Sequence, residues 1–290
     1  MPNGELREDL LTGERVIVAP GRAARPDTFR APPSHPLPAA IDTCPFCPGN
    51  EHETPPEVAR TGPGAPDTPG WRVRVVPNLY PIVPGAHEVV ILSPAHDRTL
   101  GHLDDPCEVF ATLRDRAAYH LAAGCAYVQP FVNHGRAAGA SIEHPHAHLI
   151  GLPERPPAAA RLRDRLADAL AEVRDEPLLL ADGPTVTWCP PASAFPFAMR
   201  CALAEVRSGF ANAPDDDIGA IATAVRDALH LLDATLGDVP YNVVVRSAPA
   251  DWWVDVLPRL TVQAGFEIGT GVFVNPVPPG DAAAALRGAA

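Results

Sequence analysis

The chain has 290 residues, of which 46% are hydrophobic, and a formal net charge of -12. A chain of this length buries roughly three quarters of its unfolded surface, so one large domain or two ordinary ones need no disulfide framework. The acidic balance excludes broad electrostatic binding to nucleic acid, and no apolar run approaches the roughly 18 residues of a membrane-spanning helix.

The first residues, Met1-Pro2-Asn3-Gly4-Glu5, show no basic and apolar leader, so a cytoplasmic location is the expectation. Thr12-Gly13 reads as a turn and residues 15–19 as a short strand. A loop carrying Arg22 and Arg25 follows, then a Pro-rich stretch over 26–40 that reads as an extended arm. All 23 basic residues are arginine, so any basic side chain that meets a phosphate does so with a bidentate guanidinium. Read without further context, a solvated basic loop is the favoured reading of the two arginines.

Cys44-Pro45-Phe46-Cys47-Pro48-Gly49 is a C-x-x-C in a tight turn, which fits half of a zinc site. A redox pair expects a following helix, which Pro48 and Gly49 oppose; two unliganded thiols are the remaining alternative. Residues 54–70 read as a loop, and 71–76 alternate as a strand running into Pro77-Asn78-Leu79-Tyr80-Pro81. A strong strand follows Gly85 and ends in a turn at His96. The spacing of Val109, Leu113 and Ala117 predicts a helix over 105–123, and 127–135 is a further strand ending in Asn133-His134-Gly135. The small residues of 135–141 form a loop whose backbone N–H groups could approach a phosphate.

That loop leads into Glu143-His144-Pro145-His146-Ala147-His148-Leu149-Ile150, with histidines at i, i+2 and i+4. On a strand, alternate side chains share a face with neighbours about 6–7 Å apart, while Pro145, Ala147 and Leu149 turn to apolar packing. Such a row can ligate a metal through neutral imidazoles, or set one imidazole as a nucleophile beside others that position or protonate. A strand of solvated histidines is the alternative.

In the second half, 158–175 has helical composition with Arg–Asp pairs and reads as a solvated connecting helix. Strands are expected at 185–189, 200–206, 241–246, 253–257 and 260–263. An amphipathic helix spans 215–236, with Ile218, Ile221, Val225, Leu229 and Leu232 on one face. The repeated helix-then-strand order suggests two related α+β units in tandem.

The His144-x-His146-x-His148 row resembles the histidine-triad superfamily. The flanking chain, with Leu11-Thr12-Gly13, Val16, and Pro20-Gly21-Arg22-Ala23-Ala24-Arg25-Pro26, resembles more narrowly its galactose-1-phosphate uridylyltransferase branch. The resemblance implies an α+β fold of two triad-like units, antiparallel sheets with helices packed on them. A catalytic, zinc-bearing half would occupy 1–155 and a degenerate half 156–290. It implies phosphate contacts from Arg22 and Arg25, a base or ribose contact from Asn78, nucleotide or phosphate contacts from Asn133 and Ser141, and sugar contacts from Glu267. His96 would join Cys44, Cys47 and His144 as a closed Cys₂His₂ zinc site, structural in kind.

The implied reaction is a double displacement. His146 attacks the α-phosphorus of a nucleoside diphosphate sugar, a sugar phosphate leaves, and a second phosphate accepts the nucleotide, most simply UMP. A homodimer with shared sites is also implied. Two departures qualify this. The branch carries Gln where this chain has His148, and a His can serve as a general acid in a hydrolase. The stretch Asp251-Trp252-Trp253-Val254-Asp255 lacks the histidines of the branch's second metal site, so one zinc is expected. The alternatives are therefore a nucleotide hydrolase or phosphorolytic adenylyltransferase, and a non-catalytic zinc-containing nucleotide-binding protein.

Overall fold

The computed structural model describes residues 4–24, 43–206 and 208–289. A hairpin opens the chain: β1 (Glu5–Glu8) pairs antiparallel with β2 (Arg15–Val18). Its turn is closed by the Asp9 carboxylate, which accepts from the N–H groups of Leu11 and Thr12, and by Gly13 at φ +67°. That φ suits a residue without Cβ.

The first half then runs β3 (Ala59–Arg60), β4 (Arg74–Pro77), β5 (His87–Ile91), α1 (Pro106–Ala122), β6 (Tyr127–His134) and β7 (His146–Leu152). Asp105 caps α1 through the Cys107 N–H, and Pro106 sits at its first turn, where a missing N–H costs nothing. The second half runs α2 (Pro157–Ala160), α3 (Leu166–Arg174), β8 (Leu179–Asp182), β9 (Thr185–Trp188), β10 (Met199–Leu203), α4 (Asp215–Leu236), β11 (Tyr241–Ser247) and β12 (Trp252–Pro258). It closes with α5 (Gly265–Thr270), β13 (Val272–Asn275) and α6 (Pro279–Gly288).

The two halves share one ten-stranded sheet, ordered β3-β4-β5-β7-β6-β11-β12-β10-β9-β8. Reading outward from the middle, β6-β7-β5-β4-β3 on one side mirrors β11-β12-β10-β9-β8 on the other. The helix of each half falls at the same place in the chain, α1 before β6 and α4 before β11. The expected tandem α+β units are thus fused edge to edge into one sheet. The seam is the antiparallel pairing of β6 with β11, from Tyr241↔His134 to Val244↔Phe131. Pro130, which has no N–H, ends that ladder; the Gln129 amide crosses the gap and donates to the Val245 carbonyl at 2.8 Å.

One sheet face packs on α1, α4 and α6. Ala147 and Leu149 are fully buried there with Val109, Phe110, Leu113, Ile218 and Ile221. The opposite face is covered differently in each half. Over β4, β5 and β7 lies the Cys44–Cys47 segment with Phe46 and Trp71. Over the second half lies α3, whose Leu166, Ala169, Leu170 and Val173 are buried against Trp188 and Trp253.

Three expectations are corrected here. The solvated helix at 158–175 is two short helices, and the 3–4 spacing of those apolar residues makes α3 amphipathic. The strand expected at 260–263 is absent: the chain leaves the sheet after Pro258, and Val262 is 91% exposed. The strand expected from residue 71 begins at Arg74. The parallel pairing of β13 with β2, which ties the C-terminal region to the N-terminal hairpin, has no local signal in the sequence.

Candidate active site and metal centre

Cys44, Cys47, His96 and His144 converge from three parts of the chain, with their ligand atoms all within 4.8 Å of one another. The C-x-x-C turn is held by Cys47 N–H to the Cys44 carbonyl and by the Asn50 amide to the same carbonyl. Buried Glu51 anchors it to the fold, accepting from the Trp71 indole and the Gly49 N–H, each at 2.9 Å. His144 lies just ahead of β7 and is fully buried. Its Nε2 is 2.7 Å from the Ser93 carbonyl, which can only accept, so the proton sits on Nε2 and Nδ1 faces the thiols. Nδ1 of His96 and Nδ1 of His144 lie 3.2 and 3.5 Å from the Cys47 sulfur. A tetrahedral zinc holds S and N donors about 3.6 Å apart, so this donor set fits that ion with small adjustments. Burial, outweighing the Ser93 bond, lowers the His144 pKa to about 4, so the free imidazole is the neutral form a metal needs.

β7 begins at His146, and its registers place the row. His148 lies between Val89 of β5 and Phe131 of β6. His146 is 3% exposed. Its Nδ1 is 2.8 Å from the His144 carbonyl, so that nitrogen carries the proton and Nε2 keeps its lone pair. Burial holds its pKa below the ordinary histidine value, which keeps the lone pair available at neutral pH. The ring of His148 stands 5.0 Å from that of His146 and stacks on Phe131 at 5.2 Å. Burial, reinforced by the neighbouring His146 and His87, lowers its pKa to about 3. At neutral pH it therefore presents a neutral N–H and holds no spare proton.

The remaining sequence candidates are distributed unevenly. The Asn78 amide nitrogen lies 3.1 Å from Nε2 of His87, beside the row, while its Oδ1 accepts from the Tyr80 N–H. Asn133 is on the seam, where its Oδ1 accepts from Asn242 at 2.7 Å. Ser141 is exposed at the end of the small-residue loop. In that loop the N–H groups of Ala138, Gly139 and Ala140 bond its own carbonyls, so those three do not point at a ligand as the sequence suggested. Arg22 and Glu267 line a common cavity of about 190 Å³ with Phe195, Gln263 and Phe273, and neither His146 nor His148 lines it. Glu267 also accepts from the Ala264 N–H at the start of α5. Arg25 lies outside the described residues.

Sequence reasoning missed His87, whose Nε2 is 3.1 Å from Nδ1 of His148. Its signal was the period of two: His87, Val89 and Ile91 share the face that meets the row. Reasoning also missed what fills the second half. Asp255, between Arg200 of β10 and Val244 of β11, corresponds by topology to His148. It accepts from Arg200 at 2.7 Å and Arg246 at 3.0 Å, and Arg200 also pairs with Asp9 at 3.2 Å. Beside it Trp253 is fully buried.

Comparison with known proteins gives a consistent picture. Residues 80–156 match the family described as galactose-1-phosphate uridyl transferase, N-terminal domain. An ADP-glucose phosphorylase of Arabidopsis thaliana is 30% identical over 330 aligned residues, covering 98% of this chain and 92% of the relative. A crystal structure of an ADP-glucose phosphorylase from Arabidopsis thaliana with bound ADP-glucose superposes with a TM-score of 0.79 at 28% identity, covering 99% and 98% of the two chains. A uridylyltransferase structure shares the fold at a TM-score of 0.69 and 23% identity, over 98% of each chain.

Proposed function

Because the chain belongs to the galactose-1-phosphate uridylyltransferase-like branch of the histidine-triad proteins, we propose that it is a nucleotide-sugar phosphorylase with His146 as nucleophile. The substrates are a nucleoside diphosphate sugar of the ADP-glucose type and inorganic phosphate. The observation that carries this reading is the bond from His146 Nδ1–H to the His144 carbonyl, which leaves Nε2 as the attacking atom. The adenine preference rests on the likeness to the ADP-glucose phosphorylase over the whole chain.

Nε2 of His146 attacks the α-phosphorus, and the bond from that phosphorus to the bridging oxygen breaks. The sugar 1-phosphate leaves with the electron pair. It is a good leaving group as a phosphate anion and needs no proton from His148. The nucleotidyl-imidazole is then cationic, and the His144 carbonyl faces its Nδ1–H. An oxygen of inorganic phosphate attacks the same phosphorus, Nε2 leaves with its pair, and a nucleoside diphosphate is released. Splitting the transfer in two replaces one difficult displacement by two easier ones.

Cys44, Cys47, His96 and His144 would hold one zinc, whose role is to fix the start of β7. Neutral His148 would donate to a phosphoryl oxygen, as the Gln of the branch can, which favours transfer to phosphate over acid-assisted hydrolysis. Asn78 and Asn133 would position the nucleotide. Arg22, Arg25, Ser141 and Glu267 are proposed as substrate contacts, those from the Arg22–Glu267 cavity acting across a dimer.

Intact-protein mass after incubation with ADP-glucose and, separately, UDP-glucose tests the reading. A gain of one AMP, absent in His146→Ala and discharged to ADP by phosphate, is the expected result. Free AMP accumulating without phosphate would establish a hydrolase. An adduct with UMP alone would return the chain to uridylyl transfer.

A further inference from the structure

We propose that His87 is a positioning residue that locks His148 in the tautomer with its proton on Nε2, aimed at the substrate phosphates. This rests on the phosphorylase reading for its activity test, and on the hydrogen bonds alone for its structural one. The Ile82 N–H lies 3.1 Å from Nδ1 of His87. A backbone N–H can only donate, so Nδ1 accepts and the neutral ring carries its proton on Nε2. That Nε2 lies 3.1 Å from Nδ1 of His148. The Asn78 amide nitrogen also lies 3.1 Å from this Nε2, its Oδ1 being committed to the Tyr80 N–H, and as a donor it forms no hydrogen bond with a protonated nitrogen. The Nε2 proton of His87 is therefore directed at His148, which accepts at Nδ1 and carries its own proton on Nε2.

The strand register makes this pairing. His87 is opposite Ile150 and Val89 is opposite His148, so His87 and His148 are diagonal neighbours on one face of adjacent strands. His87 is 5% exposed, and stacking on Phe131 fixes the plane of the His148 ring. The arrangement answers a need created by the residue itself. A glutamine has separate donor and acceptor atoms and can turn its NH₂ toward a phosphate. A neutral imidazole has one N–H and two tautomers. In the wrong one, a lone pair faces the phosphate oxygens and repels them. With Nδ1 of His87 held by the Ile82 N–H, the donating tautomer of His148 completes the bond to His87 Nε2, while the Asn78 amide nitrogen beside it goes without that partner. The signal starts at Ile82, in the loop that also carries Asn78 and Tyr80, so the conformation of that loop is coupled to the donor at the phosphates.

The experiment has two readouts on the full chain. Long-range ¹H–¹⁵N correlation of the histidine ring nitrogens, with His148 assigned by its loss in His148→Gln, reports the tautomer directly. The expected wild-type spectrum has the His148 proton on Nε2, and His87→Phe shifts it toward a mixture. A proton on Nδ1 in the wild type, or no change in His87→Phe, overturns the proposal whatever the activity. The second readout is a double-mutant cycle on ADP-glucose phosphorolysis. His87→Phe lowers kcat roughly ten- to hundredfold with little change in KM, as loss of an orienting partner does. In the His148→Gln background the same change costs less than about threefold, since an amide needs no tautomer partner. Equal losses in both backgrounds would make His87 ordinary packing. Absent turnover with an Nε2 proton in the spectrum would refute the substrate reading and leave the tautomer lock standing.

Discussion

Asp255→Ala distinguishes a structural second half from a hidden second site. Asp255 is 2% exposed and neutralises two guanidiniums. One of them, Arg200, is 5% exposed; burial would lower its pKa, but Asp255 and Asp9 outweigh that and hold it above its usual range. Truncating one partner of a buried pair costs about 3–5 kcal/mol, because a charge is left without compensation. Asp9 remains 3.2 Å from Arg200, so the lower end, about 3 kcal/mol, is the expected loss. For a chain of this size each kcal/mol moves Tm by about 2–4 °C, giving a fall of roughly 6–12 °C by thermal circular dichroism. Nucleotide adduct formation on His146, measured by mass well below the transition, should be unchanged. A Tm shift under about 2 °C would refute the electrostatic argument. A folded variant unable to form the adduct would refute the division of labour between the halves.

Other consequences can be checked in the same way. Cys47→Ser should remove most of one bound zinc per chain by elemental analysis and lower Tm, because the turn over β4, β5 and β7 loses its closure. Single-turnover adduct formation should show no inflection at the ordinary histidine pKa of about 6.5, because burial holds the His146 pKa below it and Nε2 stays unprotonated there; a fall centred near 6.5 would contradict this. The same direction applies to stability. A free histidine takes up a proton near pH 6.5 only in the unfolded chain, so His148, lowered to about 3, stabilises the fold above 6.5 and that contribution is lost as pH falls toward 3. Leu260, Val262, Phe266 and Ile268 are exposed beside the cavity of Arg22 and Glu267. If that face meets a second copy, Ile268→Glu should convert a dimer to a monomer by light scattering, and a monomeric wild type would end the idea.

The histidine row was readable because both of its signals are local. Alternation at His144, His146 and His148 defines a strand face, and Ala147 and Leu149 say which face is buried. The helices at 106–122 and 215–236 were equally plain, since each carries an unbroken 3.6-residue apolar period and a Pro or Asp at its start. The cluster of Cys44, Cys47, His96 and His144 was reached by chemistry and resemblance, though the Ser93 carbonyl 2.7 Å from His144 Nε2 has no residue-type signal. What stayed hidden depends on registers between distant strands. His87 meets His148 only because β5 pairs with β7, and Asp9 meets Arg200 across 191 positions of chain. The short helix α5 has no readable period, because Gly265 and Gly269 interrupt it, and the Ala264–Glu267 bond that starts it is a geometric event.

The fused sheet has a consequence for any attempt to divide the protein. Its two outer edges are β3, of two residues, and β8, of four, and short edges offer little for a foreign strand to join. Cutting the chain between β7 and α2 would create two new edges at once, the eight-residue β6 and the seven-residue β11, both rich in β-branched and aromatic side chains. Each fragment would carry a long adhesive margin shaped to accept an antiparallel neighbour. Co-expressed, the fragments have a native partner to find. Expressed alone, the N-terminal fragment has only another copy of itself, and self-pairing through β6 would rebuild a sheet in which both sides carry the histidine row.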